Sequence, residues 1–144
     1  MKLHIIEKQD LDSCALLFSN VFSSEPWNEI WTKERALERL LHFYESKGFL
    51  GVIGIDDGAI GFVLGNIEPF CDGPLFYLRE MCVSDEYQNK GVGSKLLEKL
   101  QLELNSLHVK SVYLATDNTI PAAHFYKNKG FVHSEKLGFY VKSL

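Results

Sequence analysis

The residues with the clearest chemical potential form a turn around two glycines, Gly91 and Gly93. Gln88 and Lys90 come just before the first glycine, and an amphipathic stretch follows the second. Amide groups in the first turn of a helix have no intrahelical acceptor, and the helix dipole favours an anion there. Glycine also lets the backbone approach a ligand, because it has no Cβ. The pattern predicts a phosphate-binding turn, and a tight turn without a ligand is the alternative.

A second candidate region is the loop of residues 25–31, which is rich in acidic and aromatic side chains. Glu25 and Glu29 could hold an ammonium group, and Trp27 or Trp31 could add a flat face that binds a cation. The alternative is that the tryptophans fasten the loop to the core, which we favour for at least one of them.

The elements that must position these residues follow the order β-α-α-β-β-β-α-β-α-β-β. The strand at 111–116 follows the strand at 75–83 through a helix, so the two should be parallel, joined by a right-handed crossover. We therefore predict a single domain, residues 1–144, of the α/β (α+β) class, with a mixed sheet and helices on both faces. The predicted strands are 3–7, 49–55, 59–67, 75–83, 111–116, 131–135 and 139–144. The first predicted helix is capped by Asp10 or Asp12 and runs to about residue 22, the second is capped by Thr32 and ends at Gly48, and the others are 91–107 and 121–129.

Composition limits the possible partners. The chain is 46% hydrophobic and 24% charged, with a net charge of -4, so nothing favours a nucleic-acid partner, which usually needs a basic patch. The three cysteines are widely spaced, and neither they nor the five histidines have metal-ligand spacing. No apolar run reaches membrane-spanning length and no signal peptide begins the chain. We expect a cytoplasmic protein with no metal, nucleic-acid or membrane partner.

Two motifs together point to a family. Residues 88–93, Gln-Asn-Lys-Gly-Val-Gly, resemble the Gln/Arg-x-x-Gly-x-Gly/Ala signature of the GNAT N-acetyltransferases, and residues 81–87 are similar to the strand end that precedes it. Residues 122–131 resemble that family's helix ending in Tyr-x-x-x-Gly-Phe. The resemblance implies the GNAT fold, a mostly antiparallel sheet of six to seven strands with a splayed central parallel pair. It also implies acetyl-CoA as cosubstrate.

The resemblance assigns the cofactor contacts by position. The pantetheine arm would pair with the backbone of residues 81–83, and the pyrophosphate would bind the amides of residues 89–94. The family's usual asparagine, seven residues before the tyrosine, is Thr119 here; Asn118 could still reach the pantetheine, or it could cap the short helix. The predicted cofactor residues are Met81, Cys82, Val83, Gln88, Asn89, Lys90, Gly91, Val92, Gly93, Ser94, Asn118 and Phe125.

Two residues are candidates for proton transfer. The resemblance places Tyr126 as the donor to the departing thiolate, for which a phenol of pKa near 10 is suited; a core aromatic role is the alternative. Glu80 lies in an apolar strand, which we expect to place it between Leu78 and Cys82 on one face. It is either a base that acts through water or half of an ion pair with Arg79 or another cation. No residue is placed by sequence to activate Cys82, so we expect it to pack in the core, while its amide or that of Val83 binds the oxyanion.

These observations predict an N-acetyltransferase that moves acetyl from acetyl-CoA to a primary amine of a small molecule, by direct attack in a ternary complex. A protein or peptide acceptor is one alternative, and a non-catalytic acyl-CoA-binding regulatory module is another. In the family, acceptors are recognised mainly by the first two helices and their loop, which here contains Glu25, Trp27, Glu29 and Trp31. The predicted C-terminal strands leave a homodimer open.

Overall fold

The computed structural model describes all residues, 1–144, and confirms a mixed α/β fold. The sheet order is β1-β2-β3-β4-β5, antiparallel throughout except for the parallel pair β4 and β5. Its contacts divide the chain into two compact units, residues 1–113 and 114–144. The elements are β1 (Lys2–Ile5), α1 (Leu11–Phe22), α2 (Lys33–Glu45), β2 (Phe49–Ile55), β3 (Ala59–Glu68), β4 (Leu75–Val83), α3 (Val92–Ser106), β5 (Ser111–Tyr113) and α4 (Pro121–Asn128), with short 3₁₀ helices at Lys8–Asp10 and Asp85–Tyr87.

The helix α2 begins and ends where local chemistry requires it. The Thr32 hydroxyl accepts a hydrogen bond from the Arg35 amide at 3.1 Å, which satisfies one free donor of the first turn. After the helix, Gly48 has a φ of 76°, and a Cβ there would clash with the Ile67 carbonyl oxygen. Only glycine fits this position, so the chain turns sharply from α2 into β2.

The helices of the first unit cover both faces of the sheet. Phe62 is fully buried in a core formed with α1 and α2. Gly61, the preceding residue, faces the other way, and its missing Cβ would lie 3.0 Å from the Leu96 side chain of α3. Successive strand residues point to opposite faces, so α3 lies across the sheet from α1 and α2. Truncation of Phe62 to alanine should cost about 3–5 kcal/mol.

The strand β4 contains a bulge that changes which residues share a face. Leu64 pairs with Glu80, but the next residue of β3, Gly65, pairs with Leu78, so Arg79 is an extra residue in β4. Directly opposed residues share a face. Glu80 and Cys82 therefore face α1 and α2, whereas Leu78 faces the α3 side. The expectation that Leu78, Glu80 and Cys82 share one face is wrong, because it assumed unbroken alternation.

The second unit lacks the predicted closing hairpin. Residues 131–135 and 139–144 are not strands, so the sheet has five strands rather than six to seven, and β5 ends at Tyr113 rather than at 116. A strand needs a neighbour to complete its hydrogen-bond ladder, and residues 132–144 make no backbone–backbone hydrogen bonds. Side chains at 132, 137, 139–141 and 144 are exposed. None of the helices is both long and apolar enough to span a membrane.

Candidate functional site

The turn before α3 presents a run of unused hydrogen-bond donors. Gly91 is the residue before the helix and has a left-handed backbone, with φ 80° and ψ 4°, and Asn89 also has a positive φ of 59°. The amides of residues 89–94 have no acceptor within the protein. A Cβ at Gly91 would meet no atom within 4 Å, so the space at this glycine is open. The turn can therefore hold an anion such as a pyrophosphate.

The side chain of Gln88 stabilises this turn. Its Nε2 donates to the Val83 carbonyl oxygen at 3.1 Å and to the Asp85 carboxylate at 2.9 Å, so both amide hydrogens are used within the protein. Nearby, the Lys90 ammonium lies 5.6 Å from the centre of the Tyr87 ring. The Gln88 side chain thus links the end of β4 to the turn that precedes α3. A direct contact between Gln88 and a cofactor stays a prediction.

One edge of β4 is free beside the turn. The parallel pairing of β4 with β5 involves only Leu75–Tyr77 and Ser111–Tyr113. Residues 78–83 therefore have no strand on that side, and this stretch contains Met81, Cys82 and Val83. Its backbone groups can pair with an extended ligand in the manner of an added strand.

Glu80 is partly buried and paired with Arg39 of α2. The Arg39 Nε donates to a Glu80 carboxylate oxygen at 2.6 Å, and the Glu80 side chain is only 12% exposed. Burial raises the pKa of Glu80. The charge and hydrogen bond of Arg39 lower it, the charge of Glu29 raises it further, and the charge of Arg79 lowers it. The net pKa stays above its ordinary value. The ion pair expected as one alternative is thus present, with Arg39 rather than Arg79, and the role as base stays a prediction.

A row of cations and aromatic rings extends from this pair. The Arg39 guanidinium lies 4.9 Å from the centre of the Phe43 ring. The Arg79 guanidinium lies 5.3 Å from the same ring and 4.2 Å from that of Tyr77. Tyr77 in turn stacks on Tyr113 at 4.6 Å. These contacts join α2, β4 and β5 on one side of the sheet, next to Glu80.

The loop before α2 is fastened by its tryptophans. The rings of Trp31 and Phe18 meet edge to face at 4.8 Å, and those of Trp27 and Phe22 meet at 5.1 Å. Both tryptophans are partly buried against the core, as the packing alternative predicts. Glu29 accepts a hydrogen bond from Trp31 Nε1 at 3.0 Å. A cavity of about 270 Å³ here is lined by Glu29, Ile30, Trp31 and Arg35, whereas Glu25 is exposed and does not line it.

Cys82 lies in the core rather than at a reactive surface. Its side chain is 5% exposed and packs in the cluster that includes Phe62 and Cys14. Burial raises the pKa of the Cys82 thiol well above its ordinary value, and the neighbouring Cys14 and Glu80 add to the shift. The thiolate is the nucleophilic form of cysteine, so this environment favours the packing role. The described residues contain no group of three or more His, Cys, Asp or Glu placed to hold a metal ion.

In the second unit, Tyr126 lies on α4 among aromatic rings. Its ring centre is 5.4 Å from that of Phe125 and 5.4 Å from that of Phe131. The Phe131 amide donates to the Tyr126 carbonyl oxygen at 3.1 Å, and Gly130 between them has a φ of 90°. The Tyr-x-x-x-Gly-Phe motif therefore folds the chain back at the helix end, with Phe131 packed on the tyrosine ring.

Asn118 does not cap α4. The turn before this helix is formed by Asp117, whose Oδ1 accepts hydrogen bonds from the amide and the hydroxyl of Thr119 at 2.8 and 2.6 Å. Ile120 occupies the N-cap position, without a side-chain hydrogen bond. The Asn118 amide nitrogen lies 3.5 Å from the His133 ring nitrogen. The capping alternative is therefore wrong, and the contact with a cofactor stays a prediction.

The sequence did not identify Arg39 as the partner of Glu80, and it offered Arg79 only as a possible ion-pair partner rather than as a residue stacked on aromatic rings. Arg39 lies four residues before Phe43 on α2, and this spacing places the two side chains on one helix face. The sequence thus contained a signal that a cation and an aromatic ring lie together. It gave no signal that they reach β4, because that contact depends on tertiary packing.

Comparisons with known proteins point to a family of acetyltransferases. The "Acetyltransferase (GNAT) family" model matches residues 14–131. The uncharacterized N-acetyltransferase CgeE of Bacillus subtilis (strain 168) is 29% identical over 106 residues, which are 72% of this chain and 41% of that protein. The chain thus spans about two-fifths of the length of the curated relative it matches.

Solved structures of low sequence identity have the same fold. An aminoglycoside acetyltransferase, meta-AAC0020 from an uncultured soil metagenomic sample, in complex with sisomicin, is 18% identical with a TM-score of 0.77, covering 99% of this chain and 95% of that chain. The structure of AAC(6')-Iy in complex with the bisubstrate analog CoA-S-monomethyl-acetylneamine is 21% identical with a TM-score of 0.75, covering 99% and 98%. Because the family model covers most of its length, this chain belongs to the acetyltransferase (GNAT) family.

Proposed function

We propose that this protein is an acetyl-CoA-dependent N-acetyltransferase that acetylates a primary amine of a small molecule. The observation that carries the proposal is the run of amides at residues 89–94, which have no acceptor in the protein and follow a free edge of β4. Family membership supports it. Two of the structural neighbours act on aminoglycosides by their names, and one was solved with a CoA bisubstrate analog.

The unpaired backbone groups of the turn and of the β4 edge match two parts of coenzyme A, its pyrophosphate and its pantetheine arm. The amides of residues 89–94 would hold the pyrophosphate, since they lie at the N-terminus of α3 and need an acceptor. The backbone of Met81, Cys82 and Val83 would pair with the pantetheine arm. A thioester is already an activated acyl donor, so an amine held beside it can attack directly, without a covalent enzyme intermediate.

Glu80 would take the proton from the attacking ammonium, through water. Its pKa is raised by burial, which brings the carboxylate closer to the operating pH and makes it a better base. Arg39 would fix the orientation of the carboxylate through their 2.6 Å hydrogen bond. The Val83 amide would bind the oxyanion, because Cys82 lies in a hydrogen-bonded pair with Phe62 of β3 and its amide points to that strand.

Tyr126 would donate a proton to the leaving thiolate. This role rests on the family resemblance alone. A positioned general acid or base typically contributes 10²–10⁴-fold to the rate, so roughly a hundredfold loss is expected when either Tyr126 or Glu80 is replaced.

The test measures release of free thiol from acetyl-CoA across a panel of polyamines, amino sugars, amino acids and peptides. Turnover on small amines, with a roughly hundredfold loss in Glu80→Gln, would support the proposal. Turnover on peptides alone would point to a protein acceptor. Protection against heat by coenzyme A without turnover on any amine would favour the binding module, and no protection at all would refute use of the cofactor.

A further inference from the structure

Arg79 is a cation that no carboxylate of the protein contacts directly, although its charge lowers the pKa of the adjacent Glu80. It is the extra residue of the β4 bulge, and its side chain is exposed. Arg79 contacts the rings of Phe43 and Tyr77, but it belongs to none of the ion pairs of the chain and makes no side-chain hydrogen bond. Its neighbour Glu80 is already paired with Arg39. Two guanidinium groups, those of Arg39 and Arg79, thus act on Glu80, and only Arg39 is hydrogen-bonded to it.

The environment of Arg79 suits recognition of an anion. A guanidinium is planar and presents several N–H donors that match a carboxylate or a phosphate through two parallel hydrogen bonds. Contacts with two rings limit the freedom of the side chain without using its donors. Binding of an anion there therefore costs little additional side-chain entropy.

Arg79 and Glu80 also reach the same side of the sheet. Arg79 contacts Phe43 of α2 and Glu80 bonds Arg39 of α2, although the two are adjacent in the strand. Consecutive Cα atoms are about 3.8 Å apart. One small molecule can therefore place an ammonium beside Glu80 and an anion beside Arg79 when only a few bonds separate the two groups.

We propose that the acceptor carries an anionic group, a carboxylate or a phosphate, close to its amine, and that Arg79 binds this group. The inference rests on the proposed function, since it names the class of amine that the same site would take. It predicts a preference for zwitterionic amines such as amino acids or phosphorylated amino sugars over amines that carry only positive charge.

The experiment compares matched ligands by calorimetry, with coenzyme A present. L-lysine is compared with cadaverine, which lacks the carboxylate, and glucosamine 6-phosphate with glucosamine. We expect the anionic member of at least one pair to bind about tenfold more tightly, which corresponds to about 1.4 kcal/mol. The pair that differs identifies the anion as a carboxylate or a phosphate.

Three variants assign the preference to Arg79. Arg79→Met should abolish it, and Arg79→Lys should retain part of it, because the charge stays while the paired donors are lost. Lys8→Met is the control: it removes one exposed positive charge from the 3₁₀ helix before α1 and should leave the preference unchanged.

The outcomes separate the inference from the proposed function. The inference is overturned if neither pair shows a difference, if no ligand of either pair binds, if Arg79→Met keeps the preference, or if Lys8→Met loses it equally. Acetyl transfer is measured in parallel. Transfer to amines without a preference would refute only the inference, whereas the binding preference without transfer to any amine would refute only the proposed function.

Discussion

Replacement of Gly91 by alanine should weaken cofactor binding far more than it destabilises the protein. Gly91 has a φ of 80°, a region that costs an L-residue about 1–2 kcal/mol. The added methyl group meets no protein atom within 4 Å, so no steric term is added. The reduced entropy of the unfolded chain offsets about 0.4–1 kcal/mol. We expect a net loss of about 1 kcal/mol, a fall in Tm of about 3 °C.

The same methyl group would stand beside the free amides of Gly91 itself and of Val92, whose nitrogens are within two bonds of the Gly91 Cα. An oxygen must approach an amide nitrogen to about 2.9 Å to accept its hydrogen bond, and a methyl carbon in that space keeps the oxygen farther away. Hydrogen bonds to a charged group contribute about 1.5–3 kcal/mol each. Loss of one of them should raise the Kd for coenzyme A by about 10- to 100-fold.

The matched control is Gly58→Ala, in the turn between β2 and β3. Gly58 also has a positive φ, 132°, and its added Cβ would likewise meet nothing within 4 Å. It should lose at least as much stability as Gly91→Ala and bind coenzyme A as the wild type does. Calorimetric titration and thermal unfolding measure the two quantities on the same samples. Wild-type binding by Gly91→Ala, or equal losses in both variants, would refute the phosphate-binding turn.

Three further predictions concern the proposed proton-transfer groups. Glu80→Gln should lower kcat roughly a hundredfold and remove the acid limb of the pH profile of kcat/KM. Arg39→Gln removes the charge and hydrogen bond that hold the pKa of Glu80 down, so the acid limb should move to higher pH; an unmoved limb would exclude Glu80 as the titrating group. Tyr126→Phe keeps the ring that packs on Phe125 and Phe131, so kcat should fall roughly a hundredfold while the calorimetric Kd for coenzyme A is unchanged.

Stability should also depend on the titration of Glu80. Its pKa is raised on folding, so the folded state binds the proton more tightly than the unfolded state. The Glu80 contribution to stability is therefore fully present below the carboxyl pKa of the unfolded state. It is lost as pH rises through the higher pKa that Glu80 has in the folded state. Urea unfolding of wild type and Glu80→Gln across this range should reveal the loss in wild type only, and equal pH dependence would contradict it.

Most helices and strands of the first unit were predictable from the sequence, because the patterns that indicate them are local. The apolar runs at 49–55 and 75–83 are bounded by turn residues, and the structure has strands with these same limits. Thr32 caps α2 as its residue type predicts. The predicted C-terminal hairpin is absent because two strands that pair only with each other are marginally stable without a surface to pack on, and the apolar side chains of residues 132–144 are exposed. The Arg39–Glu80 pair was missed for a similar reason, since it joins residues 41 positions apart.

The bulge at Arg79 explains how the mostly apolar strand β4 places two charged side chains, Arg79 and Glu80, on the same side of the sheet. In a regular strand, Arg79 and Glu80 would point to opposite faces, so only one of them could reach α2. The extra residue lets both do so, while Leu78 still packs on the α3 side. Adjacent opposite charges would then pair with each other, but Arg39 engages Glu80 instead. Arg79 is thereby left with its donors free next to a carboxylate held in place, which is the arrangement that a zwitterionic amine would need.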